Sequence, residues 1–181
     1  NLQSLYLNGN QLKELAPGIF QELTNLEFLY LNDNKLKDLT PGIFNRLINV
    51  KVLKLGGNQL KNLSPGIFQG LTNLSILYLD KNQLTDLAPG VFQLLINVTT
   101  IELGNNKLKN LTPGVFKKLI NVKSINLEDN KLKKLAPDVF KELKKLLRLN
   151  LEKNPLKKDD VEQFRTILTK VLPKVQIIYQ K

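Results

Sequence analysis

Glu102, Glu128 and Glu152 fall on three successive short segments of alternating leucine and polar residues. Carboxylates on neighbouring strands lie ~7–8 Å apart on the diagonal, within the span an inverting glycosidase uses to hold a water between acid and base. Such a pair works only when burial keeps one carboxyl protonated and leaves the other ionised. These three glutamates are expected on an open, solvated face with nothing to part their pKa values, so no acid–base pair is expected of them. Other catalytic sets are missing by residue type. The 181-residue chain has no histidine, cysteine, methionine or tryptophan, which removes imidazole catalysis, thiolate nucleophiles and soft-ligand metal sites. No enzyme activity, cofactor, metal or small-molecule substrate is expected. What remains is the chemistry of tyrosines, lysines and amides, and its meaning depends on the elements that position them.

Those elements repeat. Asn10, Asn34, Asn58, Asn82, Asn106, Asn130 and Asn154 recur every 24 residues inside LxxLxLxxNxLxxL, followed in the first six units by PGxF or its PDVF variant. Phe20, Phe44, Phe68, Phe92, Phe116, Phe140 and Phe164 keep the same period. Phe28 is the exception. In each unit the period-2 alternation points Leu5, Leu7 and their equivalents inward and positions 4, 6 and 8 outward. Stacked units pair as a parallel sheet and bury leucines that no unit could bury alone. An asparagine amide both donates and accepts, so a buried one can serve the backbone of its own turn and the next. Pro-Gly turns the chain on the far side, and the phenylalanines enter the core as a stacked spine. The pattern resembles the leucine-rich repeat family in its 24-residue extracellular type, as in Toll-like receptors, variable lymphocyte receptors, small leucine-rich proteoglycans and invertebrate immune repeat proteins. That resemblance spans residues 1–156. It implies an α/β repeat fold: a curved solenoid, or horseshoe, with a parallel β-sheet on the concave face and an irregular convex side.

The two ends differ. DDVEQFRTILTKVL places Val161, Phe164, Leu168 and Val171 at helical spacing behind Asp159 and Asp160, and VQIIY follows as a closing strand. Residues 157–181 are therefore expected to be a C-terminal cap, similar to the closure of invertebrate members of the family. At the start, Leu2, Leu5, Leu7, Leu12 and Phe20 are expected to show one side of the core to water, with self-association through this uncapped end as the consequence. No secretory h-region and no run of 18 apolar residues appears, so a mature or trimmed chain without membrane insertion is expected.

Outward positions carry the function. Position 4 reads Ser4, Phe28, Val52, Ile76, Thr100, Ser124, Arg148, and position 6 reads Tyr6, Tyr30, Lys54, Tyr78, Glu102, Asn126, Asn150. The rings and branched residues gather in units one to four. Lys54 between two tyrosines suits cation–π contact, and Gly56, Gly57 and Gly104 are expected to lower the floor beside it. Tyr6, Phe28, Tyr30, Val52, Lys54, Ile76, Tyr78 and Glu102 are the candidate ligand-binding residues. Lysines form a second feature on the flank: Lys107, Lys109, Lys131, Lys133, Lys134 and Lys157 are candidates for holding an anion. Residues 1 to 106 carry 8 basic and 8 acidic groups, and residues 107 to 158 carry 15 and 5. Four N-x-S/T triplets mark Asn62, Asn73, Asn97 and Asn110 as glycosylation candidates.

Together these point to a non-enzymatic module, secreted or part of an extracellular ectodomain, that binds a protein ligand by its concave sheet. The resemblance implies immune or adhesion recognition. A basic-surface binder of anionic glycans or nucleic acid is the first alternative. An engineered repeat scaffold with no natural ligand is the second.

Overall fold

The alternation of leucine with outward residues yields one three-residue strand per unit. In the computed structural model, which describes residues 1–180, these are β1 (Ser4–Tyr6), β2 (Phe28–Tyr30), β3 (Val52–Lys54), β4 (Ile76–Tyr78), β5 (Thr100–Glu102), β6 (Ser124–Asn126) and β7 (Arg148–Asn150). Helix α1 (Lys158–Val171) and strand β8 (Gln176–Ile178) close the order. All eight strands form one parallel sheet in sequence order. Pairing is residue for residue, as in Phe28 with Val52 and Tyr30 with Lys54, so each outward position becomes a straight column across the sheet. Strands in such a sheet are ~4.8 Å apart. The phenylalanine rings on the opposite side are spaced 5.7–6.5 Å centre to centre. That wider spacing fans the units and leaves the sheet on the inner, concave surface.

The core follows the repeat. Leu29, Leu31, Leu53, Leu55, Leu77 and Leu79 are fully buried, and all seven spine phenylalanines are 2% exposed or less. Phe20 departs from expectation: it is 1% exposed, because its ring lies parallel to Phe44 and the first two units cover it. Leu2 is 45% exposed and Leu5, Leu7 and Leu12 are half-buried, as expected of the first unit. The spine changes near its end, where Phe116 and Phe140 tilt and Phe140 meets Phe164 edge-on. On the convex side Gly18, Gly42, Gly66, Gly90 and Gly114 take φ of 71–85°, the left-handed region that favours glycine. Asp138 replaces the glycine in unit six, and a short 3-10 turn, Pro137–Val139, stands there instead.

Six of the seven repeating asparagines, Asn34 to Asn154, are buried and bonded in the same way, whereas Asn10 in the first unit is exposed and donates only to Leu7 O and Asn8 O of its own turn. Asn58 Nδ2 donates to Leu31 O (3.0 Å) and Leu55 O (3.0 Å), and its Oδ1 accepts from Leu36 N (3.0 Å). The neighbour it serves is the preceding unit, which corrects the expectation of the following one. A second amide row appears on the strand-entry side. Asn49, Asn73, Asn97 and Asn121 each donate to a carbonyl of the unit before, at 2.8–2.9 Å.

At the C-terminus α1 begins with Asp159 and Asp160 in its first turn and buries Val161, Phe164 and Leu168. Val171 is not the next inward residue. It is 42% exposed and Leu172 is buried in its place, since a residue eleven positions after Val161 returns to the same helix face. Strand β8 pairs with β7 through Arg148–Gln176 and Leu149–Ile177. Among the described residues, no helix is long and apolar enough to cross a membrane.

Candidate binding surface on the concave sheet

The strand parity that buries Leu29 and Leu31 turns Phe28 and Tyr30 outward, and the zero-shift register aligns them with their neighbours. Phe28, Val52 and Ile76 form one half-buried row across β2, β3 and β4. In the next row Tyr6 meets Tyr30 edge-on at 4.8 Å, and the Lys54 ammonium sits 4.5 Å from the Tyr30 ring centre and 5.4 Å from that of Tyr78. A lysine between two ring faces gains ~0.5–1 kcal/mol from each at a wet surface, enough to hold its long side chain in one arrangement. Tyr6 is 64% exposed, the most accessible ring of the set.

Beside this ladder lies a cleft of about 250 Å³ lined by Asn32, Asp33, Lys54, Gly56, Gly57, Tyr78, Asp80 and Lys81. The glycines lower the floor, as expected, but the space is shared. A Cβ on Gly56 would meet Asp80 Oδ1 at 2.6 Å, and one on Gly57 would collide with Asp33 Oδ1. Two carboxylates therefore lean over unit three from units two and four. Gly57 also needs its φ of 66°. The glycine pair signals this cleft in the sequence, but Asp33, Asp80 and Lys81 do not, because only the fold brings them to it.

The sequence model describing leucine rich repeats matches residues 1–60, 28–84, 48–108 and 96–156, and so most of the chain. The chain belongs to the leucine-rich repeat family. No curated protein matches it. Leucine-rich repeats are commonly protein-interaction modules, and their solenoid is typically a binding scaffold rather than an enzyme. In this leucine-rich repeat protein the outward rows present side chains at fixed spacing on a rigid sheet.

The three glutamates do not converge. Glu128 turns to Lys153 Nζ (2.6 Å) and accepts from Asn150 Nδ2 (3.3 Å). Glu102 instead faces a separate cleft of about 230 Å³ with Ser124, Ile125, Asn126, Arg148 and Asn150. Here the expectation of an unparted set is corrected: half-burial pushes the Glu102 pKa up, reinforced by Asp80 and Glu128, while Asn126 and Arg148 beside it pull the other way. A carboxyl whose folded pKa is raised costs stability once pH rises above its unfolded value. Glu102→Gln is therefore expected to stabilise the protein at pH 7. That gain should disappear below the unfolded carboxyl pKa of about 4.3, where both states are protonated. Thermal midpoints at neutral and acid pH check the sign, and a variant equally stable or less stable at pH 7 contradicts it.

The flank lysines 107, 109, 131, 133, 134 and 157 are all exposed. So are the four sequon asparagines, Asn62, Asn73, Asn97 and Asn110. Asn73 and Asn97 belong to the second amide row. Their period was visible in the sequence, but the triplet around each suggested a glycan rather than a structural bond.

Proposed function

We propose that this leucine-rich repeat chain is a non-enzymatic recognition module that binds a protein ligand through the concave face of units one to four. The observation that carries the reading is the ladder Tyr6–Tyr30–Lys54–Tyr78 beside the row Phe28, Val52 and Ile76. Scattered exposed apolar residues need no explanation. Two aligned rows on a rigid sheet are different, because rings and lysine already held in place lose little entropy when a partner arrives. Aromatic residues at the centre of a surface are also the usual anchors of protein interfaces. Residues 1–156 serve as the recognition array and residues 157–181 as its cap. The 24-residue period and its motif resemble the extracellular type of the family, and that resemblance supports an extracellular setting and an immune or adhesion role.

Affinity capture from extracellular fluid tests this, using the native chain, a Phe28→Ser/Tyr30→Ser double variant and a convex-side control, Lys117→Gln/Lys141→Gln. A protein retained by the native chain and the control but lost with the double variant is the expected result. Its equal retention by all three would place the interface elsewhere.

A further inference from the structure

The lysines of the flank are arranged differently in the two halves of the solenoid. Position 13 is lysine in every unit but the fourth, as Lys13, Lys37, Lys61, Lys109, Lys133 and Lys157. Position 14 then divides the chain. It is Glu14, Asp38, Asn62 and Asp86 in units one to four, but Asn110, Lys134 and Lys158 in units five to seven. Units one and two set a carboxylate next to the lysine, units three and five an amide, and units six and seven a second lysine, while unit four has Thr85 before Asp86 and no lysine. Position 11 adds Lys107 and Lys131 to the late group. Among the described residues the ion pairs join Lys51 to Glu27, Lys141 to Asp138, Lys153 to Glu128 and Arg165 to Glu162, so none of these flank lysines is neutralised.

Backbone bonds fix the spacing of this charge. Lys107 N donates to Leu84 O (2.9 Å), Lys131 N to Leu108 O (2.8 Å) and Lys109 N to Thr85 O (3.3 Å), so the flank of each unit is bonded to the one before. Consecutive lysines are thus anchored about one strand spacing apart, ~4.8 Å. That is shorter than the ~8 Å screening length of physiological salt, so the ammonium groups repel one another until a polyanion lies across them.

We propose that Lys107, Lys109, Lys131 and Lys133, extended by Lys134 and Lys157, form a second binding surface, separate from the concave face, for a linear sulfated polysaccharide. Side-chain chemistry favours this class over single-stranded nucleic acid. Of the three arginines, Arg46, Arg148 and Arg165, none lies in the repeat flank that carries Lys107, Lys109, Lys131 and Lys133, and Arg165 lies beyond it, in a cleft of the cap with Lys158 and Tyr179. Phe116 and Phe140 of the same units are buried, and the half-buried Tyr179 ring, with its hydroxyl on Leu156 O (2.9 Å), lies at the cap end beside Lys157 rather than among the other lysines. Single-stranded nucleic acid is held largely by stacking on rings or guanidinium planes, and a bidentate fork on phosphate needs arginine. Lysine alone offers point charges, which match sulfate groups along a chain that has no bases to stack. The surface ends at the cap, where Lys134 shares a cleft of about 310 Å³ with Asp160 and Lys157 immediately precedes α1.

Heparin titrated into the intact chain over a salt series tests the assignment. One variant carries Lys107→Gln, Lys109→Gln, Lys131→Gln and Lys133→Gln. The other removes the same charge from the convex side with Lys117→Gln, Lys118→Gln, Lys141→Gln and Lys144→Gln. The flank variant is expected to bind at least about ten-fold more weakly at ~0.15 M salt, with a plot of log K against log salt flatter by about 3 for four lost contacts. The convex variant should bind nearly as the native chain does. Equal weakening of both variants would show that net charge alone is read. Absence of heparin binding by the native chain at ~0.15 M salt, where contacts are screened but measurable, also overturns the proposal. So does a single-stranded oligonucleotide that displaces heparin at equal charge.

Discussion

Phe68→Ser is expected to lower the unfolding free energy by about 3–5 kcal/mol, with a further loss for the buried hydroxyl, whereas Phe28→Ser should change it by about 0.5–1 kcal/mol. The two residues share a type and differ in direction. Phe68 is 1% exposed and lies against Phe92 at 5.9 Å, so its removal opens a cavity between two units. In a solenoid each unit touches only its neighbours, and stability is close to a sum of unit and interface contributions. A cavity at the third unit therefore weakens the link between the halves of the chain, and its unfolding should become less cooperative. Phe28 stands half-exposed on the concave face beside Val52, and its ring packs only across the strand. Denaturant midpoints for both variants measure the contrast. If Phe28→Ser unfolds the chain as badly as Phe68→Ser, the ring is core and the concave surface loses its centre.

The outward row of Phe28, Val52 and Ile76 was legible because period 2 is strict and the 24-residue register never slips in units one to seven. The same regularity gave the spine and the repeating asparagines. What sequence could not supply was geometry between units. The lean of Asp33 and Asp80 over Gly56 and Gly57 depends on the distance between backbones, which no local pattern records. Glu102 was expected on open ground because its strand faces outward, yet the neighbouring strands half-bury it and raise its pKa. Val171 failed for a local reason: the helical period admits either Val171 or Leu172 as the next inward residue, and packing chose Leu172. Phe20 is covered although its unit comes first, because its ring lies flat against Phe44 on the spine, a contact that the repeat pattern of a first unit does not reveal.

Asn106→Asp, which replaces one nitrogen by oxygen, should cost about 3–5 kcal/mol at pH 7, the range for a buried charge left without its partner. Asn106 is 5% exposed. Its Nδ2 donates to Leu79 O (3.0 Å) and Leu103 O (3.1 Å), and its Oδ1 accepts from Leu84 N (3.0 Å). A carboxylate keeps the last bond and loses the donated ones, including a longer one to Gly104 O (3.3 Å), and it then sets a negative oxygen against three carbonyl oxygens. Burial and those carbonyls raise the pKa of the introduced carboxyl in the folded state above its unfolded value of about 3.9. The folded state therefore holds its proton to higher pH than the unfolded state does. Relative to the native chain, the deficit is largest at neutral pH and shrinks as pH falls through the folded-state pKa toward the unfolded one. Protonation also returns one donor. Asn106→Ala separates this effect from simple loss of bonds: it leaves the Leu84 N–H unpaired, at about 1–3 kcal/mol for a buried group, while Leu79 O and Leu103 O keep Asn82 Nδ2 (3.1 Å) and Asn130 Nδ2 (3.0 Å), and it carries no titratable group of its own. Denaturant midpoints of the three proteins at pH 7 and pH 4 decide the matter. An Asp variant as stable as the native chain at pH 7 would mean that the column's amide nitrogens are not what joins each unit to the one before it.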